Sequence, residues 1–286
     1  MHLIANSDYK AFIVEGEARE PLIIANISKV FFNHGNFEII TLPAGENIYM
    51  LWKKLKDDDF DTDIIEVLRE SNKGIREQLA NLTRDDFSEI YLFFDYDAHQ
   101  TNLGKSDDEN VVNQMLESFN NETENGKLYI SYPMVEALRD FEAGVCGKGQ
   151  ECYVPIEKLS DYKHISSMCS FNPHFKNYDI EIWKDIIDVF AMRVSCLLGI
   201  EKTIEYKDYS EQITPYEIQK IEEKIFKMKQ VFVLSAFPEF LVDYFGLKLW
   251  KTCVKHTTNK LYNQKCQNNF RNNYSGNFIF KQLKNG

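Results

Sequence analysis

Glu89-Ile90-Tyr91-Leu92-Phe93-Phe94-Asp95 is the stretch on which the fold turns. Between its two acids stand five apolar or aromatic residues with no polar alternation, the pattern of a strand buried on both faces. Such a strand needs other strands on either side of it and helices above and below. Working outward, Ala11-Phe12-Ile13-Val14, Phe37-Glu38-Ile39-Ile40-Thr41-Leu42 and Leu128-Tyr129-Ile130-Ser131 read as its companions. Helical spacing fills the intervals. It starts at Pro21, which suits a first turn, and runs through Leu22, Ile23, Ile27, Val30 and Phe31. It returns over 46–55 through Ile48, Leu51, Trp52 and Leu55, then over 63–82, 107–119 and 134–141. Strands alternating with helices across short loops predict an α/β protein built on a mainly parallel sheet flanked by helices.

Three glycines between 143 and 155 break this pattern and predict a boundary, with an α/β domain over 1–145 and a mainly helical domain over 146–286. Helices are expected over 180–198, over 215–235 with Pro215 in the first turn after Thr214, and over 238–254. Their aromatic stripes predict core, and whatever they leave exposed would suit an interface; a homo-oligomer is expected. No repeat of 20–50 residues is visible.

The chain has 286 residues, 44% of them hydrophobic, which supports a real core and excludes a disordered or collagen-like chain. Its net charge of −11 is an average of two unlike regions. All 44 acids lie at or before Asp243, whereas Lys248, Lys251, Lys255, Lys260, Lys265, Arg271, Lys281 and Lys284 follow it unopposed, interleaved with Tyr262, Phe270, Tyr274, Phe278 and Phe280. Such a tail reads either as a solvated terminus or as an arm for a nucleic-acid backbone, with Lys255, Lys260, Lys265 and Arg271 as its contacts.

Residues 1–8 lack a basic flank and apolar run, and the apolar stretch over 231–242 is broken by Pro238 and Glu239, short of the ~20 residues a span needs. A cytoplasmic protein without membrane contact is expected. Six cysteines without a C-x-x-C pair predict reduced, mostly buried thiols. Cys146, Cys152, His164, Cys169 and His174 could be arranged round zinc, but the paired knuckles of a structural zinc site are missing.

Acids gather just after three predicted strands: Glu15, Glu17 and Glu20 after the first, Asp95 and Asp97 after the central one, Glu136 after Leu128-Tyr129-Ile130-Ser131. In parallel sheets ligands collect outside the carboxyl ends of the strands. Asp95 and Asp97, two apart, project from one face of an extended chain. A rim of carboxylates repels itself unless cations neutralise it, and oxygen-only ligands suit Mg²⁺ or Mn²⁺ better than zinc. The competing reading is that these acids cap helices or turns, or dock a partner. Glu17 reads as solvent-facing, and Asp57 to Asp63 as a solvated face.

The order Glu15-Gly16-Glu17-Ala18-Arg19-Glu20-Pro21, Asp95-Tyr96-Asp97-Ala98-His99, Ser131-Tyr132-Pro133-Met134-Val135-Glu136 resembles the Toprim fold of topoisomerases, bacterial primases and OLD-type nucleases. The spelling is closest to the RloB-like branch of defence-associated Toprim nucleases, and the likeness covers 12–141. It implies metal-dependent phosphodiester hydrolysis with Mg²⁺ or Mn²⁺. Glu15 would be a metal ligand or general base, Asp95 and Asp97 the principal ligands, and Glu20 and Glu136 further ligands. His99 would bind substrate phosphate or orient a ligand, unless it is an ordinary loop histidine. A chain of this length has no room for a topoisomerase's strand-transfer domain or a primase's apparatus, which leaves a nuclease acting on RNA, tRNA included, or on DNA. The sequence carries no G-x-x-x-x-G-K-[ST], so the resemblance implies a separate ABC-type ATPase as regulator in anti-phage defence. A non-catalytic scaffold and a phosphatase or nucleotidyl enzyme acting on small molecules remain alternatives.

Overall fold

The computed structural model of the chain describes residues 9–33, 35, 37–71, 73–96, 111–140, 152–169, 174–200 and 202–255. The first half runs β1 (Tyr9–Val14), α1 (Glu20–Phe31), β2 (Glu38–Pro43), α2 (Ile48–Asp57), α3 (Ile64–Ser71), α4 (Lys73–Gln78), β3 (Phe87–Asp95), α5 (Val111–Ser118), β4 (Asn120–Asn121) and β5 (Gly126–Ser131). Its strands form one sheet in the order β2-β1-β3-β5-β4. β1 is parallel to β2 and β3, β3 is parallel to β5, and only the two-residue β4 runs against its neighbour. The protein is thus α/β, with a mainly parallel sheet flanked by helices. β3 sits at the centre, and its residues Ile90 to Phe94 are buried on both faces, as the unbroken apolar run requires.

Two helices expected in the first half come out differently. The single helix over 63–82 is instead the pair α3 and α4. The segment over 134–141 forms a short 3-10 turn, Val135–Arg139, that begins after extended Met134. The segment is held at its start: the Asp95 side-chain Oδ1 accepts the Val135 N–H at 2.7 Å, and Tyr132, just before it, exchanges backbone N–H···O bonds with Leu234 at 2.7 and 2.8 Å.

The second half contributes β6 (Tyr153–Pro155), α6 (Leu159–Cys169), α7 (Ile180–Leu197), α8 (Tyr206–Gln212), α9 (Pro215–Lys227), β7 (Gln230–Phe232) and α10 (Ala236–Cys253). The helix expected over 215–235 stops at Lys227. Lys229 adopts a left-handed φ of 63°, and Gln230–Phe232 pairs antiparallel with Tyr153–Pro155. Val231 and Phe232 fit a helix face and a strand equally well, and the ladder to β6 decides for the strand.

The two halves share one continuous buried core. On one face of the sheet Phe12, Tyr91, Phe93 and Tyr129 project toward α10, where Phe240 meets all four rings at centroid distances of 4.9–5.8 Å and Phe237 stacks on Phe93 at 5.0 Å. Phe32, the residue that ends α1, joins this face and packs its ring against Phe12 and Phe240. The alternate residues Ile13, Leu92, Phe94, Leu128 and Ile130 are buried as well. α2, α5 and α9 are joined to one another by Trp52 Nε1–H to Ser118 Oγ (3.1 Å) and Asn113 Nδ2–H to Glu223 Oε1 (2.5 Å).

Cys152 is disulfide-bonded, which corrects the expectation of reduced thiols and removes it as a zinc ligand. Cys196 and Cys253 are buried thiols outside any disulfide. No helix among the described residues is long and apolar enough to cross a membrane.

Candidate functional site

β1 ends at Val14, whose register partner on β3 is Phe93, so Glu15 emerges level with the end of the central strand. The Glu15 N–H donates to the Phe93 carbonyl at 3.2 Å, and the Glu15 carbonyl accepts the Gly45 N–H at 3.1 Å. Held between two neighbouring segments, the residue turns its carboxylate onto the end of β3, where Oε2 accepts the Asp95 N–H at 3.1 Å. Asp95 in turn accepts the Val135 N–H, and the Tyr96 N–H donates to the Ser131 carbonyl at 2.9 Å. Two carboxylates therefore stitch together the segments that follow β1, β3 and β5.

Glu20 approaches from the first turn of α1 and is 7% exposed. Its carboxylate lies so close to Gly16 that a Cβ there would stand 2.9 Å from Oε2, and the absent side chain at 16 is what lets Glu20 fold back toward Glu15. Burial raises the Asp95 carboxyl well above the usual carboxylate range, with the nearby charges of Glu15 and Glu20 adding to the rise. The Val135 N–H and Lys163 oppose it. Glu15 and Glu20 thus both bear on the Asp95 charge at the strand ends.

Glu136 is placed otherwise. It is 2% exposed as a side chain and forms an ion pair with Arg19. Arg19 precedes α1 as its N-cap but makes no capping hydrogen bond with its side chain. The spelling around Glu15 holds one cation, Arg19, and that was the signal available for a residue the acidic motifs overshadow.

The structure therefore brings Glu15, Glu20 and Asp95 together and gives Glu136 to an arginine. Glu17 is exposed, as expected. Asp97, His99, Lys260, Lys265, Arg271 and Cys146 lie outside the described residues. Lys255 is described. It follows α10, where its Nζ reaches Asp185 at 3.1 Å and its N–H donates to Asp188.

Among the described residues no three His, Cys, Asp or Glu side chains form a ready-made metal cage. The donor chemistry nonetheless suits a hard cation. Mg²⁺ keeps several waters and needs one or two carboxylates rather than an all-protein cage, and the repulsion borne by Asp95 is what such a cation would relieve. Comparisons with protein-family models, curated proteins and solved structures find no match to this chain.

Proposed function

We propose that this chain is a metal-dependent nuclease of the Toprim type that hydrolyses phosphodiester bonds in RNA or DNA. In this reading it is the effector of a bacterial anti-phage system and is controlled by a separate ABC-type ATPase. One observation carries the reading: Glu15 and Asp95 stand at the carboxyl ends of the adjacent parallel strands β1 and β3, between which the winding of the sheet changes direction. β2 continues from β1 on one side and β3 lies on the other. Ligands of open α/β sheets bind at such switch points.

Glu15 and Asp95 would hold Mg²⁺ or Mn²⁺ together with several waters, with Glu20 beside them and Asp97 added on the motif's authority. When bound, the cation supplies Lewis-acid activation of a phosphoryl oxygen and of water. The protein's own part is to fix the carboxylates. Glu15 is oriented by the Asp95 N–H and Asp95 by the Val135 N–H, so neither needs to reorganise when the substrate arrives.

Labelled tRNA, single-stranded RNA and DNA incubated with Mg²⁺ or Mn²⁺ should be cut, and EDTA should stop the cutting. Glu15→Gln and Asp95→Asn should lower the rate by at least about 10²-fold with unchanged unfolding. Equal cutting by wild type and both variants would sink the assignment. The bonds from Glu15 and Asp95 to backbone N–H groups favour a second reading, an acidic docking rim on a non-catalytic scaffold. That reading predicts no thermal stabilisation by Mn²⁺.

A further inference from the structure

A buried carboxylate must be paired or neutralised, and Glu136 has its partner in Arg19. A metal ion at the same carboxylate would have to sit beside a guanidinium of like charge. Arg19 itself is unlike the deeply buried Arg193, which is 1% exposed and donates to the carbonyls of Val233 and Asp140 as part of the packing. The Arg19 side chain is 32% exposed, so one end of its five-donor fork is anchored while part of it meets solvent. It lies within electrostatic reach of Glu20 and Asp95, the carboxylates of the strand-end group. Among the described residues two further cations act on this group: Arg139, which is laid over the Phe175 ring at 4.7 Å, and Lys163, an exposed side chain that reaches Asp95 electrostatically but has no buried anchor like Glu136. The Arg19 side chain makes no capping bond to α1.

We infer that Arg19 is the group that grips a substrate phosphate at this rim, and that Glu136 is its positioning residue rather than a metal ligand. The inference rests on the phosphodiester reading above and adds the contact that binds the polyanion beside the acids. A guanidinium suits the task because its planar fork matches two phosphate oxygens at once, and anchoring it on a buried carboxylate removes much of the ordering cost of binding.

The test measures two affinities for each protein: Mn²⁺ by electron paramagnetic resonance, and a cleavage-resistant phosphorothioate single strand, in RNA and DNA forms, by fluorescence anisotropy with Mn²⁺ present. Arg19→Ala should weaken oligonucleotide binding about tenfold or more, and Arg19→Lys should recover part of the loss. Glu136→Gln should fall between wild type and Arg19→Ala. All three should hold Mn²⁺ within about twofold of wild type, while Glu15→Gln loses it. Arg19→Met combined with Glu136→Met removes both charges together, which spares the fold an unpaired buried ion. This double variant should unfold like wild type yet bind the strand as poorly as Arg19→Ala. Unchanged oligonucleotide binding by Arg19→Ala overturns the phosphate role, and loss of Mn²⁺ by Glu136→Gln to the extent seen for Glu15→Gln overturns the positioning role. A wild-type protein that binds neither Mn²⁺ nor either strand overturns the nuclease reading, and this inference with it.

Discussion

Glu239 shows what a single buried acid does to the whole protein. It is 3% exposed on α10, and burial, with Asp243 adding to it, pushes its carboxyl up from 4.5 to about 8. Between those values the folded protein holds a proton that the unfolded chain has released. The contribution of Glu239 to stability is therefore greatest at low pH and falls as pH rises through the window, by about 1.4 kcal/mol per pH unit, beside those of Asp95, Asp140 and Glu222, whose carboxyls burial also raises. Glu239→Gln should make the slope shallower in urea unfolding at pH 5, 6.5 and 8; a slope unchanged from wild type would show that the acid is not buried as described. Gly16→Ala addresses the candidate site. The atoms its Cβ would crowd are the flexible end of Glu20, so the fold should survive with a similar unfolding midpoint while Mn²⁺ affinity falls, both read on the same preparation. At this scale the acids were legible in the sequence, because charge just beyond an apolar run has a local explanation. The pairing of Arg19 with Glu136 was not, since nothing near either residue in sequence names the other.

Single elements drew their character from the sequence unevenly. β1, β2, β3 and β5 were readable because each is a local apolar run, and in β3 the run is long enough to declare burial on both faces. β7 was not, because Gln230–Phe232 becomes a strand only by pairing with β6, far away in sequence. α10 was expected as one helix and is helical on either side of a kink at Gly246, whose φ is 63°, but its aromatic content did not say what it would cover. Its Phe240 has no exposed surface and touches Phe12, Phe32, Tyr91, Phe93, Tyr129 and Tyr244. Phe240→Ala should accordingly cost about 3–5 kcal/mol, the range for emptying a packed aromatic site. Chemical denaturation at a fixed pH measures it, and a loss below about 1 kcal/mol would mean that α10 is only loosely seated on the sheet.

Over the whole molecule, the glycine-rich interval after 143 was readable as a change of pattern, but a change of pattern is not a break in the core. The aromatic seam between the sheet and α10 joins the two halves, and Arg193 of α7 adds a bond to Asp140 at 2.6 Å. A fragment spanning 1–145 should lack the cover for Phe12, Phe93 and Tyr129. It is expected to bind hydrophobic dye and to lose the cooperative unfolding of the full chain; a sharp, independent transition would show a separable domain instead. The Tyr132–Leu234 exchange carries this dependence to the end of β5, because the segment leading to Glu136 is fastened to a residue of the second half. The two halves thus depend on each other for the cover of one core. A recombinant that joins this first half to the second half of a diverged relative must restore both the aromatic seam and the Tyr132 tether at once, so substitutions on the two sides of that seam should be accepted together rather than singly.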